Sequence, residues 1–409
     1  MHFFVVEIDM PFRSFWAEPA ELNRRLIQLP PFRILVAGPA MVMLFFVISG
    51  YSISLGLIRQ RGKHAAGLDF YNKLSSSAFR RMFRVYIPLA IAGFIYHIFW
   101  YLDAFLWDVL GENGCPDARP FSHLWPHVQC YGSWLLDHLD IIRLPRSEGL
   151  MGQGWTIPYE FQGSLAVYLA LCGLANIRHE LRLVCLSMIA LFCLAYGHAY
   201  LFAFFAGVIL AEGRLPAGPR LPVWSLHRIN HQHAWIRDVL FTCTLTGGIY
   251  LLCIPYRKHE GFSPEYRMLK YIASPRWDDQ AVTLYCWQAI GATMLVSALG
   301  DSQRIRHLLT LQPFRFLGCV SFSLYLIHQL LINTVRGRVL DLVCWVLSGA
   351  KYQQVRFGGP EWVFRVAWTT AFTAVTAMVL AASVCMNALV DDKPIAWARR
   401  IEEWARVTE

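Results

Sequence analysis

Crossing the hydrocarbon core takes a helix of roughly 20 mostly apolar residues, and this chain meets that requirement repeatedly. Apolar blocks of about that length occupy 34–58, 83–106, 154–175, 181–197, 235–255, 281–299, 314–335 and 361–390. A shorter block at 199–211 joins them, since Gly207 and its small neighbours suit close packing against other helices. Residues 1–16 read as the remnant of one more. With 56% hydrophobic and only 16% charged residues among 409, the apolar share exceeds that of a soluble domain. The pattern predicts an all-α polytopic membrane protein of about ten transmembrane helices in one bundle. Residues 1–390 form that membrane domain. The remainder, 391–409, mixes charges with Trp397 and Trp404 and reads as a cytoplasmic amphipathic tail on the membrane surface.

The formal net charge of +9 invites a nucleic-acid reading, but its distribution argues against one. Segment 59–84 holds Arg59, Arg61, Lys63, Lys73, Arg80, Arg81 and Arg84 against Asp69 alone, whereas 108–148 is rich in Asp and Glu. Basic residues return in 176–182, 214–237 and 304–315. This alternation is the positive-inside pattern. It predicts 59–84, 214–237 and 304–315 in the cytoplasm, 108–153 outside or in a lumen, and both termini cytoplasmic. Loop 257–276 is basic yet falls on the outer side by parity. Trp100, Trp107, Trp125, Trp134 and Trp155 gather near the outer boundary, as an aromatic belt does. Eleven cysteines include no CxxC pair, which removes the common zinc and thioredoxin-like readings. Cys115 and Cys130 share the outer loop, where an oxidising lumen would permit a bridge.

Ionisable groups inside or beside apolar runs are costly, so membrane proteins usually use them. Arg81 and Arg84 stand three apart on one helical face, with Arg80 beside them and Pro88 soon after. They read either as a positive-inside anchor or as an anion site, since guanidinium binds phosphate bidentately. Glu160 lies one turn inside an apolar run, past Pro158. A lone carboxylate is expensive there, so Glu160 either pairs with an arginine of another helix or orients a substrate or catalytic group. In Ser321-Phe322-Ser323-Leu324-Tyr325-Leu326-Ile327-His328, Tyr325 and His328 share a face, with Ser321 a turn further back. That stripe serves either helix–helix hydrogen bonding or a site. His227, His231 and His233 have no companion constellation, and no metal is expected. The stretch His233-Ala234-Trp235-Ile236-Arg237-Asp238 fits the His-x4-Asp signature of glycerolipid acyltransferases, but no companion phosphate-binding motif follows it.

Four stretches in order, GPAMVMLFFVISGYSIS (38–54), SSSAFRRMFRVYIP (75–88), GWTIPYEFQGSL (154–165) and FRFLGCVSFSLYLIHQ (314–329), resemble the acyltransferase-3 family of integral membrane O-acyltransferases, its fungal branch in particular. The resemblance implies about ten helices and transfer of an acyl group from acyl-CoA to a hydroxyl. It implies that Arg81 and Arg84, which match the family's Arg-x-x-Arg, engage the donor. The family's first span carries an essential Arg-x10-His pair that has no full match here. This chain begins Met1-His2-Phe3-Phe4-Val5, so His2 stands for the family histidine while the arginine and the upstream half-helix are missing. The start is then either misassigned or that of a shortened, inactive relative. As a base, His2 would take the hydroxyl proton during attack on the thioester, help worth roughly 10²–10⁴-fold. Charge developing on the carbonyl oxygen would need donors such as an arginine, Tyr325 or a helix N-terminus.

The expected activity is transfer of an acyl group, in particular acetyl, to a small lipophilic polyketide or terpenoid alcohol. The site is His2 as catalyst, with Arg80, Arg81, Arg84, Glu160, Tyr325 and His328 binding donor or substrate. No bound cofactor is expected; acyl-CoA (acetyl-CoA) is a co-substrate. Partners are the lipid bilayer, acyl-CoA and a small-molecule alcohol, with no nucleic acid. The setting is an endomembrane of the ER type or the plasma membrane. Rival readings are a sugar or polysaccharide O-acetyltransferase, an inactive scaffold, and a transporter or flippase whose pathway is lined by Arg84, Glu160 and His328.

Overall fold

The computed structural model describes residues 12–61, 67–105, 120–144, 149–214, 234–255, 262–277 and 279–405. His2, Trp107, Cys115, His227, His231 and His233 lie outside the described residues. Helix is the only regular secondary structure among those described, as expected where backbone groups must be satisfied without water. In chain order the α-helices are α1 (Gly38–Arg61), α2 (Leu68–Tyr101), α3 (Leu124–Leu139), α4 (Thr156–Gly173), α5 (His179–Ala195), α6 (Ala199–Gly213), α7 (Ala234–Leu252), α8 (Arg267–Ile272), α9 (Gln280–Asp301), α10 (Gln303–Leu309), α11 (Gln312–Leu331), α12 (Gly337–Ser348), α13 (Tyr352–Gly358), α14 (Glu361–Met386) and α15 (Asp392–Ala405). Among the described residues, five stretches are long and apolar enough to cross a membrane: α1, α2, α9, Gln312–Ser348 and Glu361–Val390. The protein is an all-α membrane protein. Two π-helical turns, Ile332–Arg336 and Asn387–Asp391, join α11 to α12 and α14 to α15.

Two compact units interleave in the sequence. One runs through Ala78 and resumes over Gln162–Thr310; the other comprises Phe79–Phe161 and the chain from Leu311 on. The divide therefore falls inside α2 and inside α4.

In the first unit, α6 is buried along almost its whole length, and α1 lies against it backbone to backbone. A Cβ at Gly207 would overlap the main chain of Val47 and Tyr51, and one at Gly50 that of Phe204. Small residues permit this close approach where water supplies no hydrophobic drive between helices. Glu212, fully buried near the end of α6, holds the neighbouring helix ends. It accepts from Arg61 Nη2 of α1 at 3.0 and 3.1 Å and from Arg182 Nε of α5 at 2.9 Å. Ahead of α1, buried Arg33 donates to the carbonyls of Phe12 and Arg13 at 2.7 and 2.6 Å, and burial lowers its pKa from the usual guanidinium value.

In the second unit, α14 packs against both α11 and α12. The segment expected as an outer loop with short interfacial helices contains α3, which instead runs antiparallel along α2. Going down α3, His127 meets Trp100 edge-on, Cys130 Sγ lies 3.7 Å from His97 Nε2, and Tyr131 donates to the carbonyl of Ala90 at 2.9 Å. The Trp134 ring then occupies the space that a side chain at Gly93 would fill. Trp100 and Trp134 are consequently core residues, 2% and 1% exposed, rather than members of an aromatic belt, whereas Trp125 is exposed. Cys130 is disulfide-bonded.

Replacing Glu212 by Gln leaves two buried guanidinium groups without a counter-charge. Such a loss costs about 3–5 kcal/mol. Thermal unfolding in detergent should show a sharply lowered midpoint for Glu212→Gln, and an unchanged midpoint would contradict the ion cluster's role.

Candidate active site

The turn of α2 carrying Arg80, Arg81 and Arg84 gives its three arginines different surroundings. Arg81 Nη2 donates to Glu160 Oε1, and both side chains are largely buried. Arg80 pairs with Glu402 of α15 at 3.8 Å. Arg84 is exposed, without an ion-pair partner among the described residues. Glu160 reaches Arg81 because the start of α4 is fixed against α2. Pro158 falls in the first turn of α4, where a missing N–H costs nothing, and Phe161 packs edge-on against Tyr86 with ring centroids 5.1 Å apart.

Farther along α2, a second polar layer surrounds the loop Met151-Gly152-Gln153-Gly154. Gln153 Nε2 donates to Tyr96 Oη at 3.0 Å and to the carbonyl of Leu326 at 2.8 Å. The Gln153 carbonyl accepts from Tyr325 Oη at 2.7 Å, and Thr156 Oγ1 lies 2.7 Å from the same hydroxyl. Tyr325 therefore pins the loop to α11. His328 directs Nδ1 to the carbonyls of Tyr325 and Leu324, at 2.8 and 3.1 Å, within its own helix. Carbonyls only accept, so Nδ1 carries the proton. Ser323 is buried and Ser321 exposed, so the hydroxyl stripe does not act as one face.

The expected residues thus fall into two levels. Arg80, Arg81, Arg84 and Glu160 form one; Tyr325 and His328 belong to the other with Tyr96, Gln153 and Thr156. Tyr96 lies about 18 Å along α2 from Arg84 at 1.5 Å rise per residue. A buried apolar cluster that includes Val85, Leu89, Trp100, Ile157 and Leu326 runs past both levels, with Phe161 and Phe322 packed against it. Sequence reasoning missed Tyr96 and Gln153, whose side chains carry no charge. It also missed Arg336, which is 1% exposed on the first π-turn. The only signals were an amide beside two glycines and an arginine directly beyond an apolar block. Among the described residues, no group of three His, Cys, Asp or Glu gathers to hold a metal. A cavity of about 490 Å³ in the first unit, lined by Arg13, Ser14, Glu18 and Phe262 among others, includes no expected site residue.

Residues 9–388 match the family model described as an acyltransferase domain. Among curated proteins, the chain is 28% identical to O-acetyltransferase PaAT-1 of Phomopsis amygdali, over 78% of this chain and 67% of that protein. It is 24% identical to acyltransferase clz18 of Cochliobolus lunatus, over 82% of this chain and 76% of the relative. It is also 24% identical to acyltransferase R4 of a Phoma species, over 90% and 82% respectively. No solved structure matches.

If the Arg81–Glu160 pair is a helix clamp, Glu160→Gln lowers stability by about 3 kcal/mol. The exchange Arg81→Glu with Glu160→Arg should then recover most of that loss. A double variant no more stable than Glu160→Gln, measured by thermal unfolding in detergent, would contradict the clamp.

Proposed function

The chain belongs to the acyltransferase-3 family, whose domain spans residues 9–388, and on that premise we propose a membrane-bound O-acyltransferase that moves an acyl group, acetyl in particular, from acyl-CoA to a hydroxyl of a small lipophilic metabolite such as a polyketide or terpenoid alcohol. The observation that carries the donor assignment is the exposed Arg84 guanidinium, one turn from an Arg81 already held by Glu160. A clamped arginine sets the direction of the face, and an unclamped one supplies bidentate donors to a diphosphate. The O-acetyl activity printed in the name of the Phomopsis amygdali relative supports acetyl as the group moved.

In the reaction, the acceptor oxygen forms a bond to the thioester carbonyl carbon while a base removes its proton. The carbon–sulfur bond then breaks, and the leaving thiolate takes up a proton. His2, the base implied by the family's first span, lies outside the described residues. Charge that develops on the carbonyl oxygen needs donors, for which the family reading offers an arginine, Tyr325 or a helix N-terminus. The apolar surroundings of this helix cluster fit a lipophilic acceptor better than a sugar, and the family favours group transfer over transport. Delivery of acceptor from the surrounding bilayer fits an endomembrane setting.

Hydrogen bonds to a charged group contribute about 1.5–3 kcal/mol. Arg84→Ala should therefore raise the acetyl-CoA KM roughly 10- to 100-fold in a transfer assay with labelled acetyl-CoA, leaving kcat within a few-fold. An unchanged KM would remove the donor assignment.

A further inference from the structure

The arginine turn of α2 already faces an anion, and the chain's own C-terminal helix supplies it. Arg80 and Arg84 stand four apart and so share a face. Like charges at that spacing repel. Among the described residues, the one carboxylate within ion-pair reach of either guanidinium is that of Glu402 on α15. Its contact differs in kind from the one that holds Arg81. Glu160 is hydrogen-bonded to Arg81 and largely buried with it. Glu402 Oε2 lies 3.8 Å from Arg80 Nη1, too far for a hydrogen bond, and both side chains keep some exposure. A pair of this type contributes little, and a phosphate that makes charge-assisted hydrogen bonds can displace it.

The course of the chain brings α15 to this place. It follows the membrane-crossing stretch Glu361–Val390 with only the π-turn Asn387–Asp391 at the junction, so it begins at the edge of the hydrocarbon. Pro394, Ala398 and Glu402 recur every four residues and form its inward stripe, with Pro394 and Ala398 buried. Trp397, Ile401 and Trp404 form the neighbouring stripe and are all exposed, Trp404 at 87%. Arg400 stands on that flank between the two tryptophans. Large apolar rings with a basic residue beside them, on a helix that leaves the bilayer, have the composition of a helix lying in the lipid interface. The bilayer is the surface that a helix continuous with α14 meets there.

We propose that α15 is a bilayer-anchored strap whose Glu402 carboxylate stands in for the donor's phosphate at Arg80 and Arg84, so that donor binding must displace it. The inference rests on the reading that the phosphates of acyl-CoA bind at this turn. A tethered carboxylate competes at a concentration fixed by the chain. It therefore lowers the affinity of the turn for every anion, and release of α15 from the lipid surface raises it.

CoA binding is measured on the full chain in phosphatidylcholine nanodiscs, with tritiated CoA as the probe. Glu402→Gln keeps the shape of the side chain and removes its charge; it should tighten the CoA Kd about twofold to fivefold. Trp397→Ser combined with Trp404→Ser loosens the hold on the interface and should also tighten it. Adding Glu402→Gln to that pair should then bring no further gain, because all three changes act on one displacement. An unchanged CoA Kd in Glu402→Gln overturns the strap. A weaker one overturns it too, and makes Glu402 a residue that steadies Arg80 for the donor. Tryptophan variants that bind CoA as wild type does, while Glu402→Gln binds it more tightly, overturn the part given to the bilayer. Wild-type protein that binds no CoA contradicts the donor reading itself, and the strap with it.

Discussion

A carboxylate enclosed by apolar helices must be met by a cation, and each compact unit is organised around one such meeting. In the first, Glu212 accepts from Arg61 and Arg182, so three helix ends converge on one side chain. In the second, Glu160 receives Arg81 and sets the start of α4 against α2. The cost of leaving either charge alone is several kcal/mol, large against the net stability of a folded domain. These pairings select helix partners more sharply than apolar contact does, because lipid tails are as apolar as the side chains they would replace.

Clamping also sorts the three arginines of one turn. With Arg81 committed to Glu160 and Arg80 to Glu402, the same turn leaves Arg84 exposed. Farther along α2, uncharged groups take over. Tyr96, Gln153, Thr156 and Tyr325 tie the glycine-rich loop to α11 without placing a formal charge in the interior. Antiparallel α3 brings His138 to that loop because Gly93 makes room for Trp134 one turn earlier. Charge is thus confined to one level and neutral polarity to the other.

The helical frame was legible wherever apolar runs were long. The block at 361–390 reappears as α14 with its π-turn, and 34–58 as α1. Gly207 was read as a close-packing residue and is one. Of the two roles open to Glu160, pairing with an arginine of another helix is what the structure shows. The start of α2 escaped, because Leu68–Met82 mixes Lys, Arg and Ser with apolar residues and has no continuous apolar run. The depth of α3 escaped for a related reason: its histidines and Asp137 suggest an interfacial helix, and burial there depends on Gly93, 41 residues before Trp134 in the chain. Spacing put Arg81 and Arg84 on one face but could not say which would be paired, since the partner lies 79 residues away. Arg336 was hidden by the end of an apolar block, where an arginine ordinarily marks the membrane edge.

The central claim is that a nucleotide-bearing acyl donor binds at the Arg80–Arg84 turn of α2. Photolabelling the intact protein with an azido-adenine CoA analogue, followed by peptide mapping, tests it without needing the acceptor. The account predicts label on peptides containing that turn, suppressed by excess acetyl-CoA. Label confined to the basic segments 214–237 or 304–315, equally suppressed by acetyl-CoA, would contradict it.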